Sequence, residues 1–366
     1  MAWSRTSDGS IEDQNDRVIH FSTERFVRDI ALGDCCFICG AQRKAKEFND
    51  EHILPHWLLK EFGLFNRKLV LPNGSTYRYG SYTVPCCFEC NSFLGSVIES
   101  PTSKLLKLSS EEISQAIREG AGHSLFIWMA LVFFKMHLKD RLLLMNQDLR
   151  SNPKQYIAEA LNYDWSELHH LHCIVRAPYS GAIIAPEAFG SFLAYPVHTN
   201  ITSEGFDLSD STRGQALLLR FNDLALYSIF NDSGGSLSRF NPTLQKLGAP
   251  LEALQMREVL AHLAAINIHI RNRPVFWTEF DLDREQSWIC GKHDDTVKLY
   301  EFDRTILGGL LHRMACDYLD IIRSPNMNRQ DIEKAMREGH FSFLFDEAGQ
   351  FIDSAKVASL VASGQH

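Results

Sequence analysis

Apolar residues recur at two spacings along this chain, and the change from one to the other divides it. In residues 21–34, FSTERFVRDIALGD, Phe21, Phe26 and Ile30 fall near one helical face and Gly33 ends the run, which predicts a short amphipathic helix. Ser109 and Glu112 have the spacing of a capping box. Leu125 to His137 reads as a helix, and its run LFIWMALVFF (125–134) is apolar all round, as in a buried core helix. From about residue 168 the texture shortens. LHHLHCIVRAPYSGAIIA, SFLAYPVHTNI and GQALLLRFNDLALYSIFND are brief apolar or alternating runs broken by Gly, Pro, Asn and Asp, which predict strands. Residues 252–270 return to a helical period, with Leu254, Val259, Leu263 and Ile266 near one face. Residues 304–323 also read as helical, and 341–353 as a hairpin turning at Glu347–Gly349. The predicted class is α+β.

At 366 residues the chain is comfortable for two domains. Residues 1 to about 20 are polar and predict a flexible leader, so that 1–34 is a leader with a short helix. A compact stretch follows, 35–100, holding six of the nine cysteines, and the composition shifts at SPTSK (100–104). Residues 101–366 then form a larger α+β domain, expected to regulate, target or bind a partner. The hydrophobic share of 45% is that of a protein with a real core. A formal charge of −8 argues against a general nucleic-acid-coating protein but leaves room for a local basic face. The first sixteen residues lack an apolar export core, and the run 125–134 is roughly half a bilayer span. A cytoplasmic protein without a membrane partner is expected, its cysteines reduced or metal-bound.

The cysteines come as two doublets in matching frames, CCFICG (35–40) and CCFEC (86–90). Cys36 and Cys39 form one C-x-x-C pair, Cys87 and Cys90 another, and four such thiolates make a closed structural zinc site with Zn–S near 2.3 Å. Gly40, after the second cysteine, permits a positive φ that turns backbone N–H groups back onto the sulfurs. Cys35 and Cys86 are then spare. The registers Cys35-x3-Cys39 and Cys86-x3-Cys90 stay open at this point, although they lose the common spacing.

Between the pairs lies NDEHILPHWLLKEFGLF (49–65). The order C-x-x-C-G, E-H-I-x-P, C-x-x-C-N, over about residues 35–99, resembles the zinc-stabilised HNH endonucleases. The resemblance implies a small ββα-metal, treble-clef-like module and metal-dependent hydrolysis of nucleic-acid phosphodiesters, DNA before RNA. It implies His52 as general base, suited by an ordinary imidazole pKa near neutrality. It also implies Glu51 and Asn91 as ligands of a catalytic Mg²⁺ or Mn²⁺, with Asp50 and Glu99 as further acidic candidates. Two departures stand out: Asn91 takes the place of a third histidine, and SYT (81–83) stands where many relatives have an asparagine that orients the base. The rival reading is a non-catalytic zinc module that binds nucleic acid or protein.

Other residues invite weaker readings. His56 lies four after His52, but Pro55 breaks a helix through both, so PHWLLKEF reads as a helix starting at Pro55 with Trp57, Leu58 and Phe62 inward. Asn73-Gly74 predicts a hairpin, with Arg67, Lys68 and Arg78 either contacting phosphates or simply solvated. His170 and His172 would share a face of a strand, which invites a weaker reading as a second metal site. His262 and His269 read as packing or surface residues, and Cys173, Cys290 and Cys316 as core. A homo-oligomer, cutting both strands, is a natural expectation.

Overall fold

A computed structural model describes residues 3–146, 148, 150, 154–198, 205–294, 296–321 and 329–353. The chain divides into two compact units, one of residues 1–188 with 276–291, the other of 189–275 with 292–366.

The first unit opens with β1 (Ser4–Arg5), β2 (Ile11–Glu12) and β3 (Val18–His20), a three-stranded antiparallel sheet. This replaces the expected flexible leader: Ile11, Val18 and Ile19 are buried, which a polar average over twenty residues concealed. α1 (Thr23–Arg25), capped by Ser22, runs on as a wider π-helical turn Phe26–Ala31 that buries Phe26 and Ile30. After the first cysteine pair come β4 (Phe48–His52), α2 (His56–Glu61), the hairpin β5 (Lys68–Val70) and β6 (Thr76–Arg78), and β7 (Thr83–Cys87). α2 starts after Pro55 as expected, but Leu58 and Leu59 are its fully buried residues, while Trp57 and Phe62 are half-buried.

β4 and β7 pair antiparallel, Phe48 opposite Cys87 and His52 opposite Thr83, and β7 leads directly into α3 (Phe88–Leu94). α3 continues through a π-helical turn, Gly95–Glu99, into α4 (Ser100–Leu105). The composition shift at residue 100 therefore marks no boundary: the helix runs on across it from α3 into α4, and Thr102 and Ser103 are buried.

α5 (Ser110–Ala116) has the Ser109/Glu112 capping box. After a break at Gly120 comes α6 (Gly122–Asp140), whose residues from Leu125 on are buried apart from Ile127. The 110–140 stretch is long and apolar enough to cross a membrane, and 72% of its most apolar window is buried inside the protein, as in a core helix. α7 (Ile157–Ala160), α8 (His169–Ser180) and β8 (Ile183–Ile184) follow. Residues 169–180 are thus a helix where strands were expected. Its Pro178 lies in the last turn and Gly181 closes it with φ +78°, so the Pro and Gly that read as strand punctuation are a helix ending.

The second unit is built on the antiparallel sheet of β9 (Phe192–Pro196), β10 (Phe206–Ser211), β11 (Ala216–Phe221) and β12 (Leu224–Ile229), in the order β10-β11-β12-β9. β11 and β12 are buried throughout and explain the unbroken apolar runs read there. α9 (Gly235–Leu244) and α10 (Ala253–His269) follow, and α10 packs Met256, Val259, Leu260 and Leu263 into the sheet's core. β13 (Val275–Asp281) and β14 (Gln286–Lys292) form a sheet with β8, mostly within the first unit. α11 (Arg304–Ala315) and α12 (Arg329–Arg337) are the last helices among the described residues, the end of the expected 304–323 helix lying outside them. Phe345 bridges Phe351 around Gly349, the expected hairpin turn.

Candidate functional site: a four-cysteine centre beside Glu51 and His52

The four sulfurs of Cys36, Cys39, Cys87 and Cys90 all lie within 4.8 Å of one another, and none is in a disulfide. Cys39 Sγ is 3.7 Å from Cys87 Sγ, close to the edge of about 3.8 Å that four Zn–S bonds of 2.3 Å would set in a tetrahedron. The set can hold a metal ion such as zinc. The register question closes: Cys35 is outside the set, and Cys86, although its sulfur is 3.8 Å from that of Cys36, stands beside it.

Local geometry explains the frame. Cys36 N–H donates to the Ala41 carbonyl and Gly40 N–H to the Cys36 carbonyl, both at 2.8 Å, which curls the first loop. Gly40 has φ +76°, and a Cβ there would meet the Phe21 ring at 2.6 Å, so only glycine closes this turn. Cys87 is the last residue of β7 and Cys90 lies in the first turn of α3, so the strand-to-helix junction folds one sulfur over the other. The crowded thiols share protons unequally: hydrogen bonds from Cys39 and then from Cys86, Cys87 and Cys90 draw Cys36 down, while Cys36 pushes Cys87 and Cys90 up.

α8 holds this loop from behind. His172 bonds the Phe37 carbonyl at 2.8 Å, and the buried Arg176 guanidinium donates to the carbonyls of Ile38 (2.5 Å), Val18 (2.6 Å) and Ile19 (3.1 Å). His172 thus supports the cysteine loop through its backbone. Burial and the neighbouring Arg176 hold His172 neutral, well below the usual histidine range. His170 stacks on Phe276 at 3.8 Å and bonds the Ala188 carbonyl.

His52 ends β4 half-buried, its ring edge-on to His56 and Phe65. Burial depresses its pKa, while the negative charge of Glu51 and the backbone at Gly80 oppose that. Gly80 reaches this position because its own N–H donates to the Phe65 carbonyl at 3.1 Å, where a Cβ would come within 2.7 Å of that oxygen.

Glu51, by contrast, is buried and taken. Lys135 of α6, with no exposed side-chain area, donates at 2.6 Å both to Glu51 Oε1 and to the His52 carbonyl, and lies 3.6 Å from Glu99 Oε1. Burial alone would discharge this lysine, but Glu51 and Glu99 raise its pKa and keep it an ammonium. Glu99, delivered by the π-helical turn after α3, is pushed up to about 7 by burial, against the pull of Lys135. Asn91 has a partner of its own, its amide donating to Asn49 Oδ1 at 2.8 Å. Asp50 is exposed. The structure therefore brings Glu51 and Glu99 together around a lysine, and gives Asn91 a separate partner.

Lys135 escaped the sequence reading because it sits in what looked like the tail of a core helix. Its signal was a charge in helical register with the buried Trp128, Leu131 and Leu138. On the β5–β6 hairpin, Lys68 and Arg78 are exposed and directly opposite each other. His262 is half-buried 3.6 Å from Glu258, and His269 is buried with Nδ1 on the Ala265 carbonyl.

Comparison with known proteins returns no match to a family model, to a curated protein or to a solved structure.

Proposed function

We propose that the four-cysteine centre holds zinc and staples a ββα module of the HNH type, on which His52 is the general base of nucleic-acid phosphodiester hydrolysis. The observation that carries this reading is the setting of His52. It closes β4 of the β4–β7 pair, is followed through β7 by α3, and stands half-buried with its ring edge-on to His56 and Phe65. The depressed pKa keeps the ring neutral near physiological pH, the state a base needs to accept a proton from attacking water. Lys68 opposite Arg78 favours an anionic partner, because like charges directly across a hairpin repel unless a phosphate lies between them.

A divalent ion at Glu51 and Asn91 does not fit the side chains as they stand. Glu51 is ion-paired with Lys135, and Asn91 is bonded to Asn49. The proposed chemistry is accordingly carried by His52, and a role for Mg²⁺ or Mn²⁺ requires Glu51 to exchange its lysine for the ion. That same ion pair favours the second reading, a zinc module that binds nucleic acid without cutting it.

Zinc-loaded protein incubated with supercoiled plasmid, with and without Mg²⁺ or Mn²⁺, separates the two. Nicking that disappears in His52→Ala at equal zinc content is expected of the hydrolase. Retarded but uncut plasmid, indifferent to divalent ions and to His52→Ala, would establish the binding module instead.

A further inference from the structure

A second group of metal-ligating side chains lies in the same unit, apart from the four cysteines. His20 at the end of β3, and His169 and Cys173 on α8, bring three ligand atoms within 4.8 Å of one another. Cys173 Sγ is 3.8 Å from His20 Nδ1 and 3.8 Å from His169 Nε2. We propose that His20, His169 and Cys173 bind a second metal ion, Zn²⁺ by the softness of the set, through two imidazole nitrogens and one thiolate.

The geometry supports it at three levels. Tetrahedral zinc with one sulfur and two nitrogens needs N···S edges of about 3.6 Å, and both edges here lie 0.2 Å from that. His169 and Cys173 are four apart on a helix, the spacing that stacks two ligands on one face. The strand that carries His20 is pinned to the same helix, because Arg176 donates to the carbonyls of Val18 and Ile19. The set is therefore assembled by contacts that do not depend on the ion.

The surroundings match a metal site with an open position. His169 Nδ1 lies 3.1 Å from Thr23 Oγ1, a partner that fixes the tautomer when Nε2 is the ligand. Without an ion Nε2 bonds the Phe21 carbonyl at 2.7 Å, and metal binding exchanges that bond for coordination. His20 and Cys173 also line a cavity of about 10 Å³ with Ser180, Thr278 and Ser287, the scale of one water molecule, which suits a fourth, solvent ligand. Three protein ligands and a water describe an open site, unlike the closed four-cysteine centre.

Zinc content of the full chain, measured after reconstitution with zinc and removal of loosely held ion, tests the proposal. Two equivalents per chain are expected, falling to one in Cys173→Ser and, as a check against misfolding at that buried position, also in His20→Gln. The four-cysteine variant Cys87→Ser would lose the other equivalent. Cobalt in place of zinc should show a mixed nitrogen–sulfur spectrum that vanishes in both His20→Gln and Cys173→Ser. One equivalent in the natural chain, or an unchanged count in both variants, would overturn the second site.

Discussion

At the scale of single residues, Lys135 decides how the region beside the four cysteines behaves. An ammonium with no solvent contact survives only because Glu51 and Glu99 compensate it, and the carboxylates are stable there only because of it. Lys135→Met should cost about 3–5 kcal/mol, since it leaves the buried Glu51 carboxylate without a counter-charge. Adding Glu51→Gln should recover part of that loss, so a double-mutant cycle read by denaturant unfolding should show strong coupling. Costs that simply add, within about 0.5 kcal/mol, would mean that the pair is not a unit. The four cysteines were legible because their chemistry depends on short spacing within each pair. Lys135 was not, because its partners are 84 and 36 positions away and only tertiary packing brings them together. Asn91 was legible as a polar position after the last cysteine, but its partner Asn49 depends on the register of β4 against α3.

At the scale of elements, α8 is where periodicity misled and where most is gained by correcting it. HHLHC alternates as a half-buried strand would, yet in a helix it sends His172 to the cysteine loop and His170 to Phe276, and sets His169 over Cys173. The strand reading placed His170 and His172 on one face and so hid the four-residue spacing that matters. α6 was read correctly, and its buried His137 makes it acid-sensitive. Burial holds His137 at about 4, with Nδ1 on the Phe133 carbonyl. The unfolded chain takes up this proton near 6.5 and the folded chain only near 4. Stability from this group is therefore complete above 6.5 and is lost as pH falls toward 4, amounting to about 3 kcal/mol. His137→Leu should flatten the unfolding free energy across that window relative to the natural chain. An unchanged slope would show that His137 is not held neutral.

At the scale of the whole molecule, α+β texture and the order of most elements could be read from the chain, whereas its division could not. The first unit takes residues 276–291 from far along the sequence, and no local composition marks such a return. The expected self-contained module of residues 35–100 instead leans on α6 through Lys135 and on α8 through His172 and Arg176. A fragment of residues 35–100 should stay unfolded by circular dichroism even with zinc, because a domain this small buries too little apolar surface and here also loses those three anchors. A folded, zinc-loaded fragment would make the anchors dispensable. The central claim, that His52 is the base of a zinc-stapled hydrolase, is met most directly by chemical rescue. Plasmid nicking by His52→Ala should fall by about 10²–10⁴ at unchanged zinc content and be partly restored by added imidazole. Nicking at the natural rate without His52 would contradict the account.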